Sequence, residues 1–149
     1  MPSPSQLSSS EDETWRALLS AHDELLELID ADLIAGANLA LGEFEVLDHL
    51  AAAPDQQIRM NELATLTRLS PSGLTRRFDA LARRGWVTRT KAAQDGRGIL
   101  AGITAKGLAK VKAARPLHAA AVRKHLFARL SDQQVSDLSA IMRRLIDRD

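Results

Sequence analysis

The chain has 149 residues, 45% hydrophobic and 26% charged, with a formal net charge of +1 and no cysteine. That length suits one domain with a real core, and the missing cysteines exclude disulfides, thiolate metal sites and thiol redox switching. No apolar run approaches the roughly 18 residues of a membrane span, and the N-terminus lacks a charged stretch followed by an apolar block, so the expectation is a cytoplasmic protein outside any membrane.

Residues 1–10 are rich in Ser and Pro with almost nothing to bury, and read as a disordered tail. From about Glu11, apolar positions recur at helical spacing: Trp15, Leu18, Leu19, His22, Leu25, Leu26, Ile29 and Leu33 form one stripe, ending near Ala35-Gly36. Glu11, Asp12 and Glu13 place negative charge where the helix dipole favours it. A second helix is expected from about Gly42 to Ala53, burying Leu41, Phe44, Leu47 and Leu50 and stopped by Pro54-Asp55. Asn61 to Thr67 reads as a short third helix. Ser70 then supplies an N-cap with Pro71 at the first helical position, and the fourth helix buries Leu74, Phe78, Leu81 and Ala82 before Gly85 closes it.

Trp86 to Thr90 alternates like a strand, Gln94 to Gly98 is a turn, and Ile99 to Ile103 is the returning strand. A fifth helix is predicted from about Ala105 to Arg129, with Leu108, Val111, Ala114, Leu117 or His118, Val122 and Leu126 inward, kinked or divided at Pro116. Ser131 to Gln134 fits a capping box for a sixth helix with a stripe of Val135, Leu138, Met142 and Leu145.

The small net charge conceals a strong polarity. Residues 1–57 carry twelve Asp/Glu against Arg16 alone, while residues 58–129 carry sixteen Lys/Arg against Glu62, Asp79 and Asp95. Such a basic middle suggests a polyanionic partner. On the fourth helix Ser72, Thr75, Arg76, Asp79 and Arg83 share one face, opposite Leu74, Phe78 and Leu81. Arginine can pair with guanine in a bidentate contact, and small hydroxyls reach bases or phosphates without bulk. Ser70 and the free N–H groups behind Pro71 can approach a phosphate. In the turn, Arg97 stands between two glycines, suited to a narrow minor groove, with Asp95 placed to form the turn or orient it. A solvated amphipathic helix is the plain alternative for the fourth helix alone; a helix before it, a basic hairpin after it and the charge block favour a winged helix-turn-helix on double-stranded DNA.

The run from Asp95 to Gly107, Asp-Gly-Arg-Gly-Ile-Leu-Ala-Gly-Ile-Thr-Ala-Lys-Gly, resembles the wing signature of the MarR family, with Ile103 in place of a leucine. Leu69 to Arg76 resembles the lead-in to that family's recognition helix, and Gly85-Trp86-Val87 its exit. The resemblance implies a mainly α winged helix-turn-helix of about six helices and a two- or three-stranded wing. It would be one domain over residues 11–149, with a DNA-binding core at about 41–107 and dimerisation helices at about 11–35 and 105–148. It further implies a homodimeric transcription factor, usually a repressor of a pseudo-palindromic operator. Ser72, Thr75 and Arg76 would then read the major groove, Arg77 would touch phosphate and Arg97 the minor groove. Ile99 to Gly102 lacks the basic residues some members carry on the returning strand, which puts additional wing contacts in doubt.

By the same resemblance the terminal helices knit the dimer, with Leu126, Phe127, Leu130, Leu138, Ile141 and Leu145 as candidates; completing one protomer's core is the alternative use for them. Family members often bind small aromatic or phenolic anions, and Trp15, His22, Phe44 and His49 are the candidates to line such a pocket, although a Trp and a His on an apolar stripe are more often core or interface. His118 and His125 are seven apart, too far for a two-residue chelate, and no metal or other cofactor is expected. No enzyme motif is present: there is no G-x-S-x-G, no phosphate loop and no clustered His/Glu set. The competing functions are a non-specific architectural DNA binder without ligand control and a winged helix used only for protein contact.

Overall fold

The computed structural model describes residues 6–92 and 98–147. It divides into two compact units, one of Asp30–Ala119 and one uniting Met1–Ile29 with Ala120–Asp149. The helix α1 (Ser9–Ala37) contributes to both, as does α5 (Ala105–His125).

The larger unit contains the end of α1, then α2 (Leu41–Ala52), β1 (Gln57–Arg59), α3 (Met60–Leu66), α4 (Pro71–Arg83), β2 (Val87–Lys91), β3 (Ile99–Ile103) and most of α5. Its sheet is antiparallel in the order β1-β3-β2, with Ile58 opposite Ala101 and Arg89 opposite the same residue from the other side. The expected wing of two or three strands is therefore three-stranded. Leu33, Leu39, Val46, Leu47, Leu50, Leu63, Leu74, Phe78, Leu81, Ala101, Val111 and Ala114 are sealed from solvent and form its core. Leu41, Phe44, Leu47 and Leu50 of α2 are buried as their spacing predicts, and Val46 joins them. On α4, Leu74, Phe78 and Leu81 are buried, but Ala82 is only half-buried, one step beyond the core-facing arc.

The smaller unit combines the first part of α1, the end of α5, a 3-10 turn at Phe127–Arg129 and α6 (Asp132–Ile146). Ser8 and Glu11 cap α1 reciprocally: Ser8 N–H donates to Glu11 Oε2 at 2.7 Å and Glu11 N–H to Ser8 Oγ at 3.3 Å. That box starts the helix at Ser9, two residues before the expected Glu11. Ser131 and Gln134 form the expected box on α6, at 2.9 and 3.2 Å. The stripe predicted on α1 is buried at Ile29 and Leu33 only; Trp15, Leu18, Leu19 and Leu26 are exposed. The helix α6 buries none of its residues. A recess in this unit is lined by Ala21, Leu25, Leu28, Leu126 and Leu130, with Glu24, His125 and Arg129 at its polar positions.

The helix α5 is not divided at Pro116, and it ends at His125 before the separate turn, not at Arg129. Pro116 is on the exposed side, where water can take the carbonyl that a missing N–H leaves open. Inward positions are Val111, Ala114 and Ala121, whereas Leu117 is exposed. None of the helices described is long and apolar enough to cross a membrane.

Candidate nucleic-acid interface

The helix-turn-helix is built from α3 and α4. Thr67 ends α3 and is buried, its hydroxyl donating to Leu63 O at 2.7 Å. Arg68 then takes a positive φ of 55°, a turn conformation uncommon for a residue with a side chain, and Leu69 N–H returns to Ala64 O at 3.0 Å. Ser70 caps α4 as expected: its hydroxyl accepts from Gly73 N–H at 3.1 Å, behind Pro71 at the first position. At the far end Gly85 (φ 75°) donates to Ala82 O at 2.9 Å and Trp86 N–H to Leu81 O at 3.1 Å, the paired bonds of a Schellman cap.

Between these caps Ser72, Thr75 and Arg76 are exposed on the side opposite Leu74, Phe78 and Leu81. Thr75 Oγ1 donates to Pro71 O at 2.9 Å, and the hydroxyls of Ser70 and Ser72 are 3.3 Å apart. Among the described residues Arg76 has no acidic partner. Two neighbours on α4 are engaged within the fold. The Arg77 guanidinium lies against Gly42 at the start of α2, so close that a Cβ there would fall 2.4 Å from Nη1. Asp79 pairs with Arg89 of β2 at 2.6 Å, and Arg89 lies 4.7 Å over the Phe78 ring. The Asp79–Arg89 pair braces α4 against β2.

The basic block is not all available to a partner. Arg84 pairs with Glu43 and Arg115 with Asp48, while Lys106 and Lys110 donate to backbone carbonyls. Among the described residues near the turn and α4, Arg68, Arg76 and Arg83 are exposed, as is Arg89, which is paired with Asp79. The wing residues Asp95 and Arg97 lie outside the described residues.

Comparison with known proteins bears on the whole arrangement. A model of the MarR family matches residues 37–98. Sco3205, a MarR family transcriptional regulator from Streptomyces coelicolor solved in complex with DNA, is 32% identical, with 95% of this chain and 89% of that one aligned at a TM-score of 0.87. The chain belongs to the MarR family. AbsC, another MarR family regulator from Streptomyces coelicolor, is 26% identical with 94% of each chain aligned and a TM-score of 0.85. The HTH-type transcriptional repressor YetL of Bacillus subtilis (strain 168) is 33% identical over 84 residues, 56% of this chain and 50% of YetL, so that match spans half of the relative's length. Membership of the MarR family puts the chain among transcription regulators and not among enzymes.

In this MarR family member the four candidate pocket residues have different surroundings. Trp15 and His22 are exposed in the smaller unit, and His22 Nδ1 is 3.0 Å from Asp23. In the larger unit Phe44 is buried and stacks on His118 at 4.5 Å between ring centres, a partner that spacing alone did not identify. His49 lines a separate recess with Ala52, Pro54, Gln57, Ile58, Glu62 and Leu66. Of the candidate dimer residues, Phe127, Ile141 and Leu145 are exposed, and Leu126, Leu130 and Leu138 half-buried.

Proposed function

We propose that the protein is a sequence-specific DNA-binding transcription regulator of the cytoplasm, a repressor that binds a pseudo-palindromic operator as a homodimer. The observation that carries this is the exposed Ser72–Thr75–Arg76 face of α4, opposite a sealed Leu74–Phe78–Leu81 face and between two capped ends. The DNA complex of Sco3205 supports it, as does the repressor name of YetL. In this reading Ser72, Thr75 and Arg76 read bases, Ser70 and Arg77 contact phosphate, and Arg97, with Asp95 orienting it, enters the minor groove. Exposed Ile141, Leu145 and Phe127 give the terminal helices the apolar surface that pairing needs. Relief by a small aromatic or phenolic ligand, which rests on the family resemblance, completes the proposal.

The test is binding to the DNA upstream of the protein's own gene, compared with scrambled duplexes across a salt series. A large preference for one palindrome is expected, and Arg76→Ala should cost roughly 1–3 kcal/mol on that site while relaxing base preference. Equal affinity for every duplex would instead make the protein an architectural binder. The ligand arm uses a panel of small aromatic acids; binding that none of them relieves removes the sensor from the proposal.

A further inference from the structure

Arg84 ends α4, and its guanidinium is engaged inside the larger unit. Nη1 lies 3.3 and 3.4 Å from the two carboxylate oxygens of Glu43, in the first turn of α2, and Nη2 donates to Asn38 O at 3.0 Å. The same guanidinium sits 4.2 Å over the Trp86 ring, with the Lys110 ammonium 5.1 Å from that ring. Lys110 also donates to Ala37 O, and Lys106 Nζ to the carbonyl of Arg84 at 3.0 Å. The helix α1 has no basic residue in its last turn. Its final carbonyls, at the negative end of the helix dipole, are met instead by cations from the end of α4 and from α5. Glu43 also accepts from Ala40 N–H at 2.9 Å, and Asp30 from Leu41 N–H at 2.7 Å, so the junction of α1 and α2 is tied from both sides.

We infer that Arg84 is a positioning residue for DNA reading: it clamps the C-terminal end of the recognition helix to the α1–α2 junction and so sets how Ser72, Thr75 and Arg76 are presented. This rests on the reading of α4 proposed above. A helix of 13 residues is roughly 20 Å long, so a small movement at Arg84 rotates the base-reading end through a larger arc. The Ser70 cap orders the first turn of α4 from within its own segment, whereas the Arg84 side chain joins the helix end to Asn38, to Glu43 of α2 and to the Trp86 ring.

The experiment measures affinity for the preferred duplex, and its salt slope, for the full-length parent, Arg84→Ala and Arg84→Lys. Arg84→Ala is expected to bind about tenfold more weakly, with the slope of log affinity against log salt unchanged, because no phosphate contact is lost. Arg84→Lys keeps a cation over Trp86 and donors for Glu43, and is expected to recover most of the loss. Parent-like affinity in Arg84→Ala overturns the inference, and so does a lysine variant no better than alanine. A slope lower by about one unit also overturns it, since Arg84 would then be a direct phosphate contact. Should Arg84→Ala lose its thermal unfolding transition, Glu43→Gln decides. Its one amide oxygen can keep the bond to Ala40 N–H, while the charge and one acceptor facing Arg84 are lost; weaker binding at unchanged slope supports the clamp, and parent-like binding overturns it. A parent that prefers no duplex removes the functional proposal and this inference together, whereas a parent and an Arg84→Ala that bind alike remove only the clamp.

Discussion

Gly42 and Gly107 are both crowded, and they differ in what crowds them. A Cβ at Gly107 would fall 2.2 Å from the backbone oxygen of Trp86 and 2.7 Å from Ile103 Cγ1, so the backbone carbonyl just ahead of β2 would have to move. Gly107→Ala should therefore destabilise the protein by about 1–3 kcal/mol, measured by urea unfolding. At Gly42 the clash is with the far end of the Arg77 side chain, which can swing away. Gly42→Ala should stay within about 0.5 kcal/mol of the parent in stability while weakening DNA binding, because it unseats a guanidinium proposed to meet phosphate. Equal losses in both measurements would mean that Arg77 serves only the fold.

Helix ends carry the next scale, since each one is a local agreement between side chain and backbone. Ser70→Ala removes the acceptor for Gly73 N–H and should cost about 1 kcal/mol of stability, visible as a lower urea midpoint. The box at the start of α1 gives a pH prediction. The Ser8 backbone N–H, and then the Ser8 hydroxyl, hold the Glu11 carboxyl below the ordinary carboxylate range. A depressed carboxylate contributes stability that is present above its unfolded pKa and lost as pH falls through the folded one. Protection of the first-turn amides of α1, taken relative to their intrinsic exchange rates, should accordingly fall on acidification through that range, and a Glu11→Gln variant should show no such step. Caps of this kind were legible in the sequence: Ser70-Pro71, Gly85 and Ser131–Gln134 each depend on residues within a few positions. The strand β1 was not, because three residues make no periodic signal and Gln57–Arg59 becomes a strand only by pairing with Leu100–Gly102. That Ser72, Thr75 and Arg76 share an exposed face opposite Leu74, Phe78 and Leu81 was legible from spacing on one helix. The Arg84 clamp was not, since Glu43 and Asn38 are 41 and 46 residues away along the chain, and the Asp79–Arg89 brace needs the fold of helix onto strand.

For the whole molecule, the informative feature is an amphipathic α6 that leaves Ile141, Leu145 and Ile146 more than half exposed. Spacing on the helix named Leu145, and the family resemblance Ile141, but neither could say whether the surface is covered by the same chain or by another, and Ile146 was not named. If a second copy covers them, Leu145→Glu should give a monomer by sedimentation velocity with the helical circular dichroism of the parent. The same variant should lower the DNA salt slope toward half, because one helix-turn-helix neutralises half the phosphates of two. A parent that sediments as a monomer at all concentrations would sink the paired reading and leave the surface for another partner.

If Thr75 reads bases as proposed, its bond to Pro71 restricts which bases it can read. A threonine hydroxyl has one proton, and here it is committed to a backbone carbonyl, leaving only lone pairs to face outward. In a major groove such an oxygen can accept from the exocyclic amino group of adenine or cytosine but has nothing to offer the bare acceptors of guanine, while the neighbouring methyl suits the methyl of thymine. Arg76, one residue on, has the opposite character, donors without acceptors. The two side chains together therefore ask for a step in which an amino-bearing base lies beside a guanine, a dinucleotide signature that selection from a random-sequence pool would display directly.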